Sequence, residues 1–198
     1  PYSSSKAAAE NLFSSYLKSY FIFKKFGASS VRSGNVIGGG DWSEDRIVPD
    51  IIKSIKNKKK LLIRNPNSVR PWQHVLEPLT GYLILAKKNY GNKKFSGAWN
   101  FGPSMKEIVS VKNVVLTFYE KISYKRKKNY KIQKKNKKMK ETNLLKIDSS
   151  KAKKLLNWKS KISTQEAISL TCEWYKRYFE KKELFNFTKN QILNYLNK

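Results

Sequence analysis

Apolar residues recur at helical spacing through the first two dozen positions. Leu12, Phe13, Tyr16, Leu17, Tyr20 and Phe21 share one face of a helix predicted over residues 3–26, stopped at Gly27. The period then changes. Residues 28–33, with Val31, read as a short buried strand, and the glycine-rich run 34–41 reads as a loop. A helix is predicted over 47–56 with Pro49 in its first turn, then a strand over 61–64 and a turn-rich loop over 65–71. Leu79, Tyr82, Leu83 and Ala86 lie on one face of a helix over 76–88, and residues 98–101 form a strand closed by Gly102-Pro103. Helices follow over 111–122, 149–156 and 164–181, with an added helical tail over 184–198; the lysine-rich stretch 121–140 reads as solvated strand and loop.

Helices alternating with short strands indicate α/β architecture. A chain that opens on a helix calls for a sheet upstream to pack it, so the expectation is a piece of a longer protein. With 39% hydrophobic and 13% aromatic residues, a packed core can form and a disordered chain is excluded. No apolar run reaches membrane-spanning length, and no charged-then-apolar leader opens the chain. Cys172 is the single cysteine, which excludes a disulfide framework or a cysteine metal site and fits a reducing cytoplasm.

The formal charge of +28 points first to nucleic acid or another anionic partner. The excess, however, is lysine. The arginines are Arg32, Arg46, Arg64, Arg70, Arg126 and Arg177, and specific readers of phosphate and bases rely on arginine forks. A nucleic-acid-binding protein is therefore the second reading, behind an enzyme with an anionic substrate.

Tyr2 and Lys6 stand at i, i+4, on one helix face. A phenol beside an ammonium can take a proton from a sugar hydroxyl while hydride leaves the same carbon. Spacing alone decides nothing, because Tyr20/Lys24, Tyr90/Lys94, Tyr124/Lys128, Tyr130/Lys134 and Tyr178/Lys182 share it. Context separates the first pair. The run Pro1-Tyr2-Ser3-Ser4-Ser5-Lys6-Ala7-Ala8-Ala9-Glu10 resembles the catalytic helix of the NAD-dependent epimerase/dehydratase family, the extended short-chain dehydrogenases that act on nucleotide sugars. The segment from Val31 to Asp50, with Gly38-Gly39-Gly40-Asp41-Trp42, resembles the branch that dehydrates CDP-glucose. Arg64-Asn65-Pro66 with Arg70-Pro71-Trp72-Gln73-His74-Val75-Leu76-Glu77-Pro78 is the most specific stretch, and Trp99-Asn100-Phe101-Gly102-Pro103 and the end near Trp174-Tyr175 continue the match.

The resemblance covers residues 1–178 and implies the C-terminal part of a Rossmann-type α/β fold. Residues 1–34 would end the dinucleotide-binding half, residues 35–183 would mostly bind substrate, and 184–198 would be the tail. It implies NAD as cofactor, held in part by Tyr2 and Lys6, which are also the catalytic pair. Asn35, Arg46, Arg70 and Asn100 would bind the nucleotide sugar, CDP-glucose, with Arg70 gripping the diphosphate by a bidentate guanidinium. It also implies a cytoplasmic enzyme of deoxysugar synthesis, homo-oligomeric at full length, with another nucleotide-sugar dehydratase or an epimerase as the nearest enzymatic alternative. Tyr2 and Arg70 would then meet opposite ends of one ligand. No metal is expected: His74 is the only histidine, and hydrogen bonding is the role read for it. Trp158 and Trp174 read as core, Asp148 as the N-terminal cap region of a helix. No G-x-G-x-x-G loop follows a strand here, and the family places that loop, and the proton donor and acceptor of water elimination, before Tyr2. Little activity is expected of the isolated chain.

Overall fold

The structure, a computed structural model, describes residues 1–103, 109–122, 129–133 and 145–198. In chain order the elements are α1 (Tyr2–Ser19), β1 (Ser29–Ser33), β2 (Asn35–Ile37), α2 (Ile47–Asn57), β3 (Leu61–Ile63), β4 (Val69–Arg70), β5 (Trp72–His74), α3 (Leu76–Asn89), β6 (Gly97–Phe101), β7 (Val109–Ser110), α4 (Val111–Ile122), β8 (Tyr130–Ile132), α5 (Ser150–Leu156), α6 (Thr164–Phe179) and α7 (Phe185–Leu196). They divide into two compact units: Pro1–Ser33, Pro78–Phe101 and Asp148–Lys159 in the first, and Gly34–Glu77, Gly102–Ile147 and Ser160–Lys198 in the second.

In the first unit α1 is shorter than its periodicity predicts. It ends at Ser19, and one 3-10 turn, Phe21–Phe23, follows. Aromatic and β-branched side chains lose rotamer freedom in a helix, and Tyr20-Phe21-Ile22-Phe23 is an unbroken run of them. None of α1 is buried, and Leu12 and Tyr16 of its expected apolar face are exposed. β1 pairs in parallel with β6, from Ser29 opposite Gly97 to Ser33 opposite Phe101. Leu85, Trp99, Phe101, Ala152, Leu156 and Trp158 form the core of this unit. Asp148 accepts the Ser150 N–H at 2.8 Å at the start of α5, as its position suggests.

The second unit is built around α2, α4 and α6. Ile51, Ile52 and Ile55 of α2, Val114, Val115 and Phe118 of α4, and Ala167, Ile168, Thr171 and Tyr175 of α6 are buried at helical spacing. A Ser-x-x-Glu box starts α6, with Ser163 Oγ accepting the Glu166 N–H at 3.1 Å. β2 pairs in parallel with β5, β3 in parallel with β8, and β4 antiparallel with β7. β2 lies inside the predicted glycine loop, and β4 inside the predicted loop over 65–71. Strands of two or three residues are too short to display a period, and β5 is buried throughout although two of its three residues are Gln and His. Of the lysine-rich stretch, β8 belongs to the described residues; 123–128 and 134–140 lie outside them.

Candidate functional site

The loop from Gly38 to Arg46 is held from one side by α6. A side chain at Gly39 would put its Cβ 2.1 Å from Trp174 Cγ, so only glycine admits the indole this close. The Tyr175 hydroxyl donates to the Asp41 carbonyl at 2.6 Å, and burial pushes its own ionisation up to about 12. Trp42 completes the cluster, edge-on to Tyr175 with ring centroids 5.4 Å apart. The glycine triplet and the terminal Trp-Tyr pair are thus one packing unit. Trp174 and Trp158 are structural, as read from the sequence.

Beyond this anchor the loop carries its charges outward. The Asp41 carboxylate accepts the Ser43 N–H at 3.0 Å and pairs with Arg46 at 3.5 Å. Burial acts to raise the Asp41 carboxyl, but the Ser43 bonds and the Arg46 charge outweigh it and hold it below the usual carboxylate range. Asp45 is paired with Arg64.

A cavity of about 250 Å³ opens beside this loop, lined by Asn35, Asp45, Ile47, Asp50, Leu62, Ile63, Arg64, Asn65, Ser68, Arg70, Trp72 and Val111. Three short strands place its polar groups: Asn35 starts β2, Arg70 ends β4, and Arg64 follows β3. Arg70 is buried, and its Nη1 donates to the Val69 carbonyl at 3.0 Å. Trp72, whose Nε1 donates to the Val109 carbonyl at 3.0 Å, forms part of the wall. Burial raises the Asp50 carboxyl, and the neighbouring Asp45 charge adds to the shift. A buried guanidinium beside an amide and a second guanidinium can bind a diphosphate by charge-assisted, bidentate hydrogen bonds.

Asn35 and Arg70 therefore meet on one cavity, with Arg46 between the cavity-lining Asp45 and Ile47. The other three expected site residues belong to the first unit. Tyr2 and Lys6 share the exposed face of α1, with Lys6 Nζ 5.5 Å from the centre of the Tyr2 ring. Asn100 on β6 donates through Nδ2 to the Asp148 carbonyl at 3.1 Å. Its Oδ1 is buried without a hydrogen-bond partner among the described residues. Asp45 and Arg64 were not singled out as binding residues by sequence reasoning. Arg64 stood inside the Arg-Asn-Pro motif, and that was the available signal.

Two buried polar residues hold the frame. His74 accepts the Leu76 N–H through Nδ1 at 3.4 Å, and burial lowers its pKa to about 4, so it is neutral at pH 7. Glu77 accepts the N–H groups of Lys161 and Ile162 at 2.8 and 2.9 Å. Among the described residues no three of His, Cys, Asp and Glu gather as metal ligands, and no helix is long and apolar enough to cross a membrane.

Parallel strands linked through helices, a helix bearing Tyr2 and Lys6, and an arginine-lined cavity define a class of protein, and the chain belongs to the family described as GDP-mannose 4,6 dehydratase, whose model matches residues 1–171. Among its relatives is the CDP-glucose 4,6-dehydratase of Salmonella typhimurium, 37% identical over 99% of this chain and 55% of that protein. The human dTDP-D-glucose 4,6-dehydratase is 27% identical over 90% of this chain and 49% of its own length. The chain spans about half the length of the curated relatives it matches. The dTDP-glucose 4,6-dehydratase of Bacillus anthracis, in complex with NAD, shares the fold at a TM-score of 0.73, with 22% identity over 92% of this chain and 54% of that one.

Proposed function

We propose that this chain serves the NAD-assisted removal of water from a nucleotide-activated glucose, CDP-glucose first, to give the 4-keto-6-deoxy sugar. The carrying observation is the buried Arg70 guanidinium sharing a cavity with Asn35 and Arg64. The likeness to the Salmonella enzyme supports cytosine as the base.

The donor set on α1 fits one end of the cofactor. Tyr2 and Lys6 are flanked by Ser3, Ser4, Ser5, Ala7, Ala8 and Ala9, none larger than serine and all exposed, so a flat ring and its ribose can approach closely. NAD, when bound, supplies the acceptor and later the donor of hydride. Lys6 would hold the ribose, and Tyr2 would take the proton of the sugar 4-hydroxyl. Arg70 and Arg46 neutralise the diphosphate, and Asn35 hydrogen-bonds the bound nucleotide sugar. Asn100, with its unpartnered Oδ1, would accept a further ligand hydrogen bond. Tyr2 and Lys6 of the first unit are assigned to cofactor and proton transfer, and Asn100 of that unit, with the residues of the second, to substrate.

The test is a titration of the chain with CDP, dTDP, UDP and GDP. CDP binding that weakens about tenfold to a hundredfold in Arg70→Ala is expected, since each charge-assisted hydrogen bond contributes about 1.5–3 kcal/mol. Absence of binding by any of the four, or an unchanged affinity in Arg70→Ala, would defeat the reading. For the reaction itself, incubating the full-length enzyme with NAD and CDP-glucose should convert the sugar C6 to a methyl group visible by NMR. Tyr2→Phe should abolish the conversion while leaving CDP affinity intact.

A further inference from the structure

The cavity holds two arginines in unlike states. Arg70 is buried at its wall, whereas the side chain of Arg64 is 65% exposed and is paired with the 73% exposed Asp45. Both members of that pair line the cavity. Asp45 lies on the loop leading into α2 and Arg64 just after β3, so the pair ties two separate segments together at the cavity. Asp45 also has φ of 58°, in the left-handed region that residues other than glycine rarely occupy. Such conformations concentrate where the surrounding structure has a use for them.

An ion pair this exposed contributes little, because water and salt screen it and two long side chains must be ordered. A diphosphate offers the same guanidinium two negative charges and several acceptor oxygens. It also brings its charge close to Asp45 and Asp50, which line the same cavity, and like charges brought together repel. Resting on the substrate reading above, we propose that Asp45–Arg64 is a displaceable latch. An entering nucleoside diphosphate takes Arg64 from Asp45, Arg64 becomes its second cationic ligand after Arg70, and Asp45 sets the affinity by competing for that guanidinium.

The experiment is a double-mutant cycle read by calorimetric titration of the chain with CDP. Asn tolerates the left-handed backbone at position 45, so Asp45→Asn keeps the loop, and circular dichroism checks the fold of each variant. Asp45→Asn should tighten CDP binding about two- to fivefold, Arg64→Gln should weaken it about tenfold, and the gain from Asp45→Asn should vanish in the Arg64→Gln background. A gain that persists there means Asp45 acts by bulk charge alone and overturns the latch. So does a loss on Asp45→Asn, which would make the pair a fixed part of the site. Failure of the wild type to bind CDP overturns the latch together with the substrate reading. Binding that depends on Arg70 but shows no coupling between positions 45 and 64 overturns the latch alone.

Discussion

Replacing Gly39 with alanine tests whether the glycine loop is shaped by α6. Gly39 does not have the positive φ found at Gly40, so the backbone accepts a side chain and only space decides. The new Cβ would lie 2.1 Å from Trp174 Cγ and 2.2 Å from Cδ2, well inside contact distance and against the rigid part of the indole. That ring has little freedom to withdraw. Its Nε1 donates to Thr188 Oγ1 of α7 at 3.0 Å, it stacks on Tyr178 with centroids 5.9 Å apart, and it meets Tyr175 edge-on at 5.3 Å. Overpacking of this kind costs about 1–3 kcal/mol, and a shift that breaks the Thr188 bond adds about 1 kcal/mol. Gly39→Ala should therefore destabilise the chain by about 2–4 kcal/mol, as the two costs together require. Urea unfolding followed by tryptophan fluorescence measures it. The decisive control is Trp174→Ala. Removing the indole empties the space, so the double variant should be no less stable than Trp174→Ala alone. Additive costs, within about 0.5 kcal/mol, would refute the argument, because Gly39 would then be glycine for a reason other than Trp174.

Glu77→Ala leaves the buried N–H of Ile162 and the part-buried N–H of Lys161 without their acceptor; about 2–4 kcal/mol of stability should be lost, and a loss under about 1 kcal/mol would contradict the role given to this carboxylate. Burial raises the Glu77 carboxyl against the opposing pull of those N–H groups, so its stabilising contribution is complete below the unfolded carboxylate value and disappears as pH rises through the raised one. Relative to Glu77→Gln, the wild type should therefore lose stability as pH climbs from about 4, and a flat difference would count against it. Tyr175→Phe removes the 2.6 Å bond to the Asp41 carbonyl and should cost about 1 kcal/mol in the same unfolding assay, with no cost meaning that the bond does not anchor the loop. The Cys172 thiol is buried and pushed up to about 12; iodoacetamide at pH 8 should label it only after unfolding, and rapid labelling of the native chain would show that the site opens.

Long periodic segments were legible in the sequence because their physics is local. The buried faces of α2, α4 and α6 follow a 3.6-residue repeat, and Pro49 sits in the first turn of α2 as read. The strands β1, β3 and β6 were legible too, but β2, β4 and β5 were not: they carry polar residues and draw their stability from partners that are remote in sequence, Asn35 from Trp72 and Arg70 from Val109. The site divided along the same line. Motif resemblance singled out Asn35 and Arg70, which the fold then places on one cavity. Nothing in a linear reading could pair Asp45 with Arg64, since the two stand on separate segments, before α2 and after β3, that only the fold brings together. The partner of Arg46 is likewise set by the loop: the carboxylate that reaches it is Asp41, fixed by Ser43 and by the hold of Tyr175 on its carbonyl.

The sum of charges proved less informative than their kind. Lysine and arginine together number 42, yet six are arginine, and Arg126 lies outside the described residues. Arg32 is engaged by Glu10 at 2.5 Å, and Arg177 lies over the Phe187 ring at 4.5 Å. The remaining three, Arg46, Arg64 and Arg70, belong to the cavity or its loop, the first two opposed by Asp41 and Asp45. Lysine on the surface raises the concentration of any anion, but that field is screened within about 8 Å at physiological salt. A planar guanidinium at a cavity wall discriminates by geometry and keeps its charge at every accessible pH. Added salt should therefore weaken CDP binding much less than it weakens adhesion to duplex DNA, whose affinity falls by several orders of magnitude when many phosphates must exchange counterions.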